Sequence, residues 1–316
     1  MFPAKLALPS KIIAFACLLL CTLSAQAQQA GSQQKDSATA SARLLRQALR
    51  TAMAEKPGAA VVVDVESGKI IAQHGMEIAA RRLATPGSTI KPFVLMALLK
   101  SQKFSSDEAF FCRRTLRIAG KRMDCTHPEL AAPLHAQEAL AYSCNSYFAS
   151  MAERITAADL VSALQHAGFT SPTGWSKDEV TGTVRETQTL EQRQLQTLGE
   201  EDVKITPLEL LAAYRTIALQ HLREDKSWEV IYRGLQDSTT YGMAHAAAPD
   251  GYNVAGKTGT ANSSSSAFSH GWFAGYAPAE KPEIALVVYL EHGRGSDAAA
   301  VARMVFTAYE KVKGGR

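Results

Sequence analysis

Ser88-Thr89-Ile90-Lys91 sets a hydroxyl and an amine three positions apart, and on a helix residues at that spacing share a face. Their neighbours are apolar: Phe93, Val94, Leu95, Met96, Ala97, Leu98 and Leu99. A helix that is apolar all round is a buried one, and a lysine inside it needs a reason. A lysine kept neutral by desolvation can take the proton of a nearby serine and make its oxygen a nucleophile. Free lysine titrates near about 10.4, whereas lysines that act as bases are lowered to roughly 7–8. The unpaired backbone N–H groups at a helix start beside Ser88 are suited to an oxyanion. Alone, the pair reads equally well as an ordinary helix cap. Ser32-Gln33-Gln34-Lys35 repeats the spacing in a polar stretch where no pocket can form.

Two further groups add to it. Ser143-Cys144-Asn145 lies between two helical stretches; its hydroxyl can relay a proton and its amide can hold a substrate amide. Lys257-Thr258-Gly259-Thr260 follows Ala255-Gly256. On a strand Lys257 and Gly259 share one face while Thr258 and Thr260 share the other. Gly259 admits a close backbone, and a sheet edge here can pair with an extended peptide whose carboxylate is drawn to Lys257 and the hydroxyls. This third group is the most specific of the three.

The elements that must position these residues can be read from periodicity and punctuation. A helix is expected from Ala42 to about Glu55, then a hairpin of strands Ala59–Val65 and Ile70–His74 around Glu66-Ser67-Gly68-Lys69. An apolar helix runs from Ser88 to about Lys100. Thr156 and Thr206 look like helix N-caps, the second followed by Pro207, and Gly168 stops the first of these helices. Strands return around Val254–Thr260, Gly271–Ala277 and Ile284–Leu290, before an amphipathic helix from about Asp297 to Lys313. The implied fold is α+β, an α/β sandwich whose antiparallel sheet is built from both chain ends and flanked by helices, with an all-helical subdomain at roughly 101–230 inserted. The junction of the two subdomains is the natural cleft.

The 316 residues, 46% hydrophobic and 20% charged with net charge +4, suffice for such a domain and carry no basic clusters of the kind nucleic-acid binding needs. Residues 1–27 read as a signal peptide: Lys5 and Lys11, an apolar run Ile12–Leu23, and Ala25-Gln26-Ala27 as a cleavage site. An uncleaved N-terminal membrane anchor is the alternative. Residues 28–41 are a flexible Gln/Ser/Ala/Gly tether, leaving 42–316 as the domain. Either way the domain is expected outside the cytoplasm, in a periplasmic or other extracytoplasmic space. There Cys112 and Cys125 are placed to form a disulfide across a short loop, worth about 3 kcal/mol by loop closure. A metal site from Cys112, Cys125 and His127 is the competing reading; it lacks a C-x-x-C pair and a second histidine at ligand spacing. Cys144 reads as a small packing residue, Trp272 as core, and His270 and His292 as surface or supporting residues.

Taken together, Ser88-x-x-Lys91, Ser143-x-Asn145 and Lys257-Thr258-Gly259 resemble the active-site set of the penicillin-recognising serine transferases. The likeness runs from about Ala59 to the C-terminus. Pro86-Gly87-Ser88-Thr89-Ile90-Lys91-Pro92-Phe93 is similar to the nucleophile segment of penicillin-binding transpeptidase domains. Ser143-Cys144-Asn145-Ser146-Tyr147-Phe148 is similar to their second motif, Ile205-Thr206-Pro207-Leu208-Glu209-Leu210 to the helix before the third, and Trp272-Phe273-Ala274-Gly275-Tyr276-Ala277-Pro278 to the strand after it. The resemblance implies a β-lactamase/transpeptidase-like fold and an acyl-enzyme on Ser88 with Lys91 as its base. It gives Ser143 a proton relay, Asn145, Lys257, Thr258, Gly259 and Thr260 substrate binding, and the N–H groups of Ser88 and Thr260 the oxyanion. A cysteine-bearing insertion in some elongation-type members favours the disulfide.

The activity so implied is a D,D-transpeptidase or D,D-carboxypeptidase acting on D-Ala-D-Ala stem peptides, needing no cofactor. Its partners are peptidoglycan stem peptides, β-lactams as covalent inhibitors, and other cell-wall synthesis proteins, with no nucleic acid. A serine β-lactamase is a second reading, but the nearest Glu-x-x-x-Asn position, Glu179-Val180-Thr181-Gly182-Thr183, has no Asn. A non-catalytic β-lactam sensor or scaffold is a third. The chain departs from the multimodular synthases, with no glycosyltransferase or pedestal segment in evidence, and Ser263-Ser264-Ser265-Ser266 makes the stretch after the third motif unusually polar.

Overall fold

Ile284-Ala-Leu-Val-Val-Tyr-Leu290 contains no charged residue, and β-branched side chains at this density pack well only where a strand is covered on both faces. In the computed structural model, which describes residues 42–101, 103–262 and 268–314, this run is the central strand of a five-stranded antiparallel sheet. In chain order the strands are β1 (Gly58–Asp64), β2 (Ile70–His74), β3 (Ala255–Asn262), β4 (Ser269–Ala277) and β5 (Ile284–Leu290), with spatial order β2-β1-β5-β4-β3. The sheet is thus made from both ends of the chain, as expected. The signal-peptide and tether readings, and the polar run at 263–266, lie outside the described residues. The chain divides at Leu44–Leu45 into two units, and the fold that follows is that of Leu45–Arg316.

Alternation along the strands sorts side chains into two cores. One face carries Ala59, Val61 and Val63, then Trp272 and Tyr276, then Val287 and Tyr289. The other carries Ala60 and Val62, Phe273 and Ala277, and Leu286 and Val288. Against this second face lie the helix ending at residue 52, through Leu45 and Leu49, and the C-terminal helix over Gly295–Gly314, through Val305 and Phe306.

The first face is covered by the middle of the chain. A short helix, α1 (Met76–Arg81), leads to a 3₁₀ turn at Gly87–Ile90, which runs into α2 (Lys91–Lys100). There follow α3 (Ala136–Ala141), α4 (Asn145–Met151), α5 (Ala157–His166), α6 (Leu190–Thr197), α7 (Pro207–Leu222) and α8 (Glu229–Thr240), with the C-terminal helix as α9. The Thr156 hydroxyl accepts from the Asp159 N–H at 3.1 Å, and Thr206 with Glu209 forms a reciprocal capping box. Although α7 falls within the expected inserted segment, it packs on β4 and β5. The carboxyl of Glu209 also accepts the Gly182 N–H at 2.6 Å; burial pushes its pKa up to about 7 against those hydrogen bonds. Among the described residues, no helix is long and apolar enough to cross a membrane.

Candidate active site

The turn that carries Ser88 is fixed before the helix begins. Gly87 has φ +53°, a region glycine enters without the strain of a Cβ, and its N–H donates to Gly199 O at 3.0 Å. The Thr89 hydroxyl donates to Pro86 O at 2.8 Å, Tyr214 OH donates to Thr89 O at 2.9 Å, and the Trp272 indole donates to Thr85 O at 3.0 Å. Ser88 is half-buried in this turn. Lys91 follows as the first residue of α2 and is completely buried.

Its amine reaches three oxygens. Lys91 Nζ donates to Ser143 O at 2.8 Å, Ser143 Oγ at 3.3 Å and Asn145 Oδ1 at 2.6 Å, with the Phe148 ring 5.2 Å away. Burial lowers its pKa to about 8, although the sulfurs of Cys144 and Cys125 and the carboxylate of Glu200 pull the other way. An amine so poised can hold all three oxygens as ammonium and can take a proton as free amine.

Ser143 sits at φ +55°, unusual for a residue with a side chain. Helix α3 ends there, with Ser143 N–H bonded to Leu140 O and Cys144 N–H to Ala139 O. The turn aims Ser143 at Lys91 and starts α4 at once. Asn145 is held from its far end, where Nδ2 donates to Met123 O at 3.1 Å. The loop before α3 therefore sets the orientation of the amide that Lys91 meets, a role the sequence did not signal because it is played by a backbone carbonyl.

The third group lies on β3, an edge strand beyond β4. Lys257 is fully buried and its amine donates to Thr258 O at 3.1 Å. Burial lowers its pKa well below the usual lysine value, and the charge of Lys91 adds to the effect. The Thr258 hydroxyl donates to Met243 O at 3.3 Å, and the Thr260 hydroxyl accepts the Gly295 N–H at 2.9 Å. A Cβ on Gly259 would lie 2.6 Å from Pro86 O, so only glycine lets β3 run against the nucleophile turn. A Cβ on Gly87 would likewise come within 3.0 Å of Thr260 O. The three groups, 169 positions apart in sequence from Ser88 to Lys257, are thus brought to one place.

Glu179, the nearest counterpart to a deacylating glutamate, is tied into its own turn. It accepts hydrogen bonds from Thr173 N and Oγ1, Gly174 N and Ser176 N. Trp272 is core, as read; His270 is buried and bonded to Glu291 O and Tyr289 OH, while His292 is exposed against Phe268.

The cysteines gather behind the Ser143–Asn145 turn. Cys112 and Cys125 are free thiols with sulfurs 3.5 Å apart rather than the expected disulfide. Two further donors lie at the same point: Cys144 Sγ is 3.7 Å from Cys125 Sγ, and His127 Nε2 is 3.5 Å from Cys112 Sγ. All four donor atoms lie within 4.8 Å of one another. The competing metal reading named Cys112, Cys125 and His127; Cys144, the middle residue of the second motif, joins them here. Among the described residues, these four form the cluster able to hold a metal ion.

A family model for the penicillin binding protein transpeptidase domain matches residues 58–308. The peptidoglycan D,D-transpeptidase MrdA of Acinetobacter baumannii is 37% identical over 97 residues, covering 26% of this chain and 14% of the relative. Stage V sporulation protein D of Bacillus subtilis is 25% identical over 253 residues, covering 67% of this chain and 38% of the relative. The chain thus spans well under half the length of these curated relatives. Pseudomonas aeruginosa PBP2, solved in complex with WCK 5153, superposes with TM-score 0.73 at 20% identity, covering 84% of this chain and 76% of that one. Helicobacter pylori PBP2, solved with MreC, superposes with TM-score 0.75 at 20% identity over 84% and 62%. At these identities the two structures speak to the fold.

Proposed function

Since the chain belongs to the penicillin-binding protein transpeptidase family, we propose that it is a serine D,D-transpeptidase or D,D-carboxypeptidase of peptidoglycan synthesis. Ser88 Oγ attacks the carbonyl of the penultimate D-Ala of a stem peptide while Lys91 takes its proton. The tetrahedral oxyanion is received by the N–H groups of Ser88 and Thr260. The C–N bond then breaks, terminal D-Ala leaves as an amine that gains a proton by way of Ser143, and an ester remains on Ser88. An acceptor amine or water attacks that ester and restores the serine. Asn145 holds the peptide amide, and Lys257, Thr258 and Thr260 draw in the terminal carboxylate as the peptide lies along the open edge of β3.

The observation that carries this reading is the meeting, on one fully buried amine, of Ser143 Oγ and Asn145 Oδ1. Two buried lysines with lowered pKa values in one site, Lys91 and Lys257, match a pocket made for proton transfer beside an anion. The binding of Glu179 within its own turn supports slow deacylation of β-lactams rather than turnover. We place the domain outside the cytoplasm on the strength of residues 1–27, with other wall-synthesis proteins as partners. The MreC complex of the Helicobacter pylori neighbour is a precedent of that kind.

The test is incubation of the purified protein and its Ser88→Ala variant with a fluorescent penicillin. A lasting label on the wild type and none on the variant is expected. Absence of label on both overturns the acyl-enzyme, and rapid loss of label with hydrolysed drug overturns the transpeptidase reading in favour of a β-lactamase. Product analysis on a D-Ala-D-Ala pentapeptide, with and without an acceptor amine, separates transfer from hydrolysis.

A further inference from the structure

We propose that Glu200 is the base for the second half of the reaction: its carboxylate receives the acceptor's ammonium group, takes one proton and turns the freed amine on the ester at Ser88. This rests on the acyl-enzyme reading and assigns what that reading leaves open, the choice of an amine over water.

Backbone contacts place Glu200. It lies in the turn after α6, where the N–H groups of Gly199 and Glu200 donate to Gln196 O and Leu195 O, each at 3.0 Å. Gln196 is fully buried, and its amide donates to Arg185 O at 2.7 Å and Asp202 O at 3.2 Å, which pins the turn. A Cβ on Gly199 would lie 2.2 Å from Gly87 O, and Gly87 N–H donates to Gly199 O. Just beyond, Ala84 and Ile205 exchange both backbone hydrogen bonds, at 3.1 and 3.0 Å. The segment before Ser88 and the segment after Glu200 thus run side by side. Ser88 and Glu200 are the residues that follow the two touching glycines. Gly87 is also the residue whose Cβ would meet Thr260 O. The nucleophile turn is therefore flanked by β3, the strand assigned to the donor peptide, and by the Glu200 turn.

There is room for a second substrate. Glu200 is half-buried and lines a cavity of about 740 Å³, a size that ligand sites have. The wall also includes Thr85, close before Ser88, and Met123, whose carbonyl holds Asn145. Two cations of this wall are already answered, Lys121 by Glu201 and Arg122 by Asp124. Arg185 and Lys204 line it too, so an acceptor with a carboxylate near its amine meets charges of both signs. The charge of Glu200 also reaches the Lys91 amine, which it favours in the protonated form against burial. A carboxylate felt by the base of the first step stands near the place where the ester forms.

The protons balance. The acceptor arrives as an ammonium and gives one proton to the Glu200 carboxylate, which becomes a carboxylic acid. The amine nitrogen bonds to the ester carbon, and its surplus proton passes to Lys91, a free amine once D-Ala has left. The bond from that carbon to Ser88 Oγ breaks, and Lys91 returns the proton to the serine. An amide is released, and Glu200 gives its proton to water.

The experiment divides one acyl-enzyme between two fates. The full chain is given a D-Ala-D-Ala pentapeptide and an acceptor peptide with a single α-amine, and transferred and hydrolysed products are measured. Their ratio does not depend on how fast the ester forms, so an effect of Glu200 on the first step does not move it. In the wild type the ratio should change less than threefold from pH 6 to 7.5, because the bound ammonium is used. An α-amine titrates near about 7.7–8.0, so attack by free amine from solution would raise the ratio about tenfold per pH unit. Glu200→Gln should lower the ratio at least tenfold at pH 6.5 and bring in that climb. Glu201→Gln, one position on, should stay within twofold of the wild type. A climbing ratio in the wild type, an unchanged ratio in Glu200→Gln or an equal fall in Glu201→Gln overturns the proposal. A higher ratio in Glu200→Gln overturns it as well, because the carboxylate then serves water. Should Glu200→Gln fail to fold, the wild-type pH series decides alone. Absence of both products together with absence of penicillin label overturns the acyl-enzyme itself.

Discussion

Lys91 holds its fully buried amine against three oxygens, and this arrangement makes a prediction about pH. Protonated, the amine satisfies Ser143 O, Ser143 Oγ and Asn145 Oδ1 but has no lone pair for the Ser88 proton. Burial brings its pKa to about 8, so the fraction of free amine grows about tenfold for each pH unit below that value. The rate of labelling by a fluorescent penicillin should therefore climb steeply from pH 6 and level off above about 8. Lys91→Ala should label on the order of a thousandfold more slowly and lose the climb. A flat profile in the wild type would show that another group takes the proton. Much of this was open to reading from the sequence, since a lysine among Phe93, Val94 and Leu95 has few other uses. What could not be read was the Met123 carbonyl that orients Asn145, because a backbone oxygen leaves no mark in a residue pattern.

The elements were legible in proportion to how far local pattern decides them. β2 and β5 begin and end where alternation and apolar run place them, and the caps at Thr156 and Thr206 stand where their side chains announce them. The helix expected from Ser88 instead opens with a 3₁₀ turn and becomes α-helical only at Lys91. α8 was not anticipated, since Glu229–Thr240 ends in Ser-Thr-Thr and holds Gly234, all weak helix formers. Packing sets it: a Cβ at Gly234 would lie 2.9 Å from Leu140 Cδ2 of α3, so the glycine is there for close approach. That Cys144 meets Cys125 was hidden for a related reason, since the two stand 19 residues apart in sequence. At this scale Gly259 offers the sharpest test. Gly259→Ala drives a methyl to within 2.6 Å of Pro86 O, and relief must come from moving β3 off the nucleophile turn. Overpacking of this kind costs about 1–3 kcal/mol, which at about 2–4 °C per kcal/mol lowers Tm by roughly 2–12 °C. Penicillin labelling should fall more than tenfold at a temperature where the variant is still folded. Loss of Tm with an unchanged labelling rate would mean that β3 and the turn can separate without harm to the site.

Over the whole molecule the sheet divides two cores that serve different ends. The face bearing Trp272 and Tyr276 packs against the helices that hold Ser88, Lys91 and Ser143, while the face bearing Phe273 and Leu286 packs against the helix ending at residue 52 and α9. If the sheet is stiff, damage to the second core should lower stability without reaching the chemistry. Leu49 is fully buried in that second core. Leu49→Ala should cost about 2–5 kcal/mol, well inside the roughly 5–15 kcal/mol by which domains are stable, and lower Tm by several degrees. At 25 °C the variant should label with penicillin within twofold of the wild-type rate. One bridge between layers that could spoil this is α9, whose Gly295 N–H bonds the Thr260 hydroxyl at 2.9 Å. Slower labelling in Leu49→Ala would therefore mean that a shift in the second core reaches β3 through α9. An unchanged rate beside a lowered Tm would show that the sheet insulates the site.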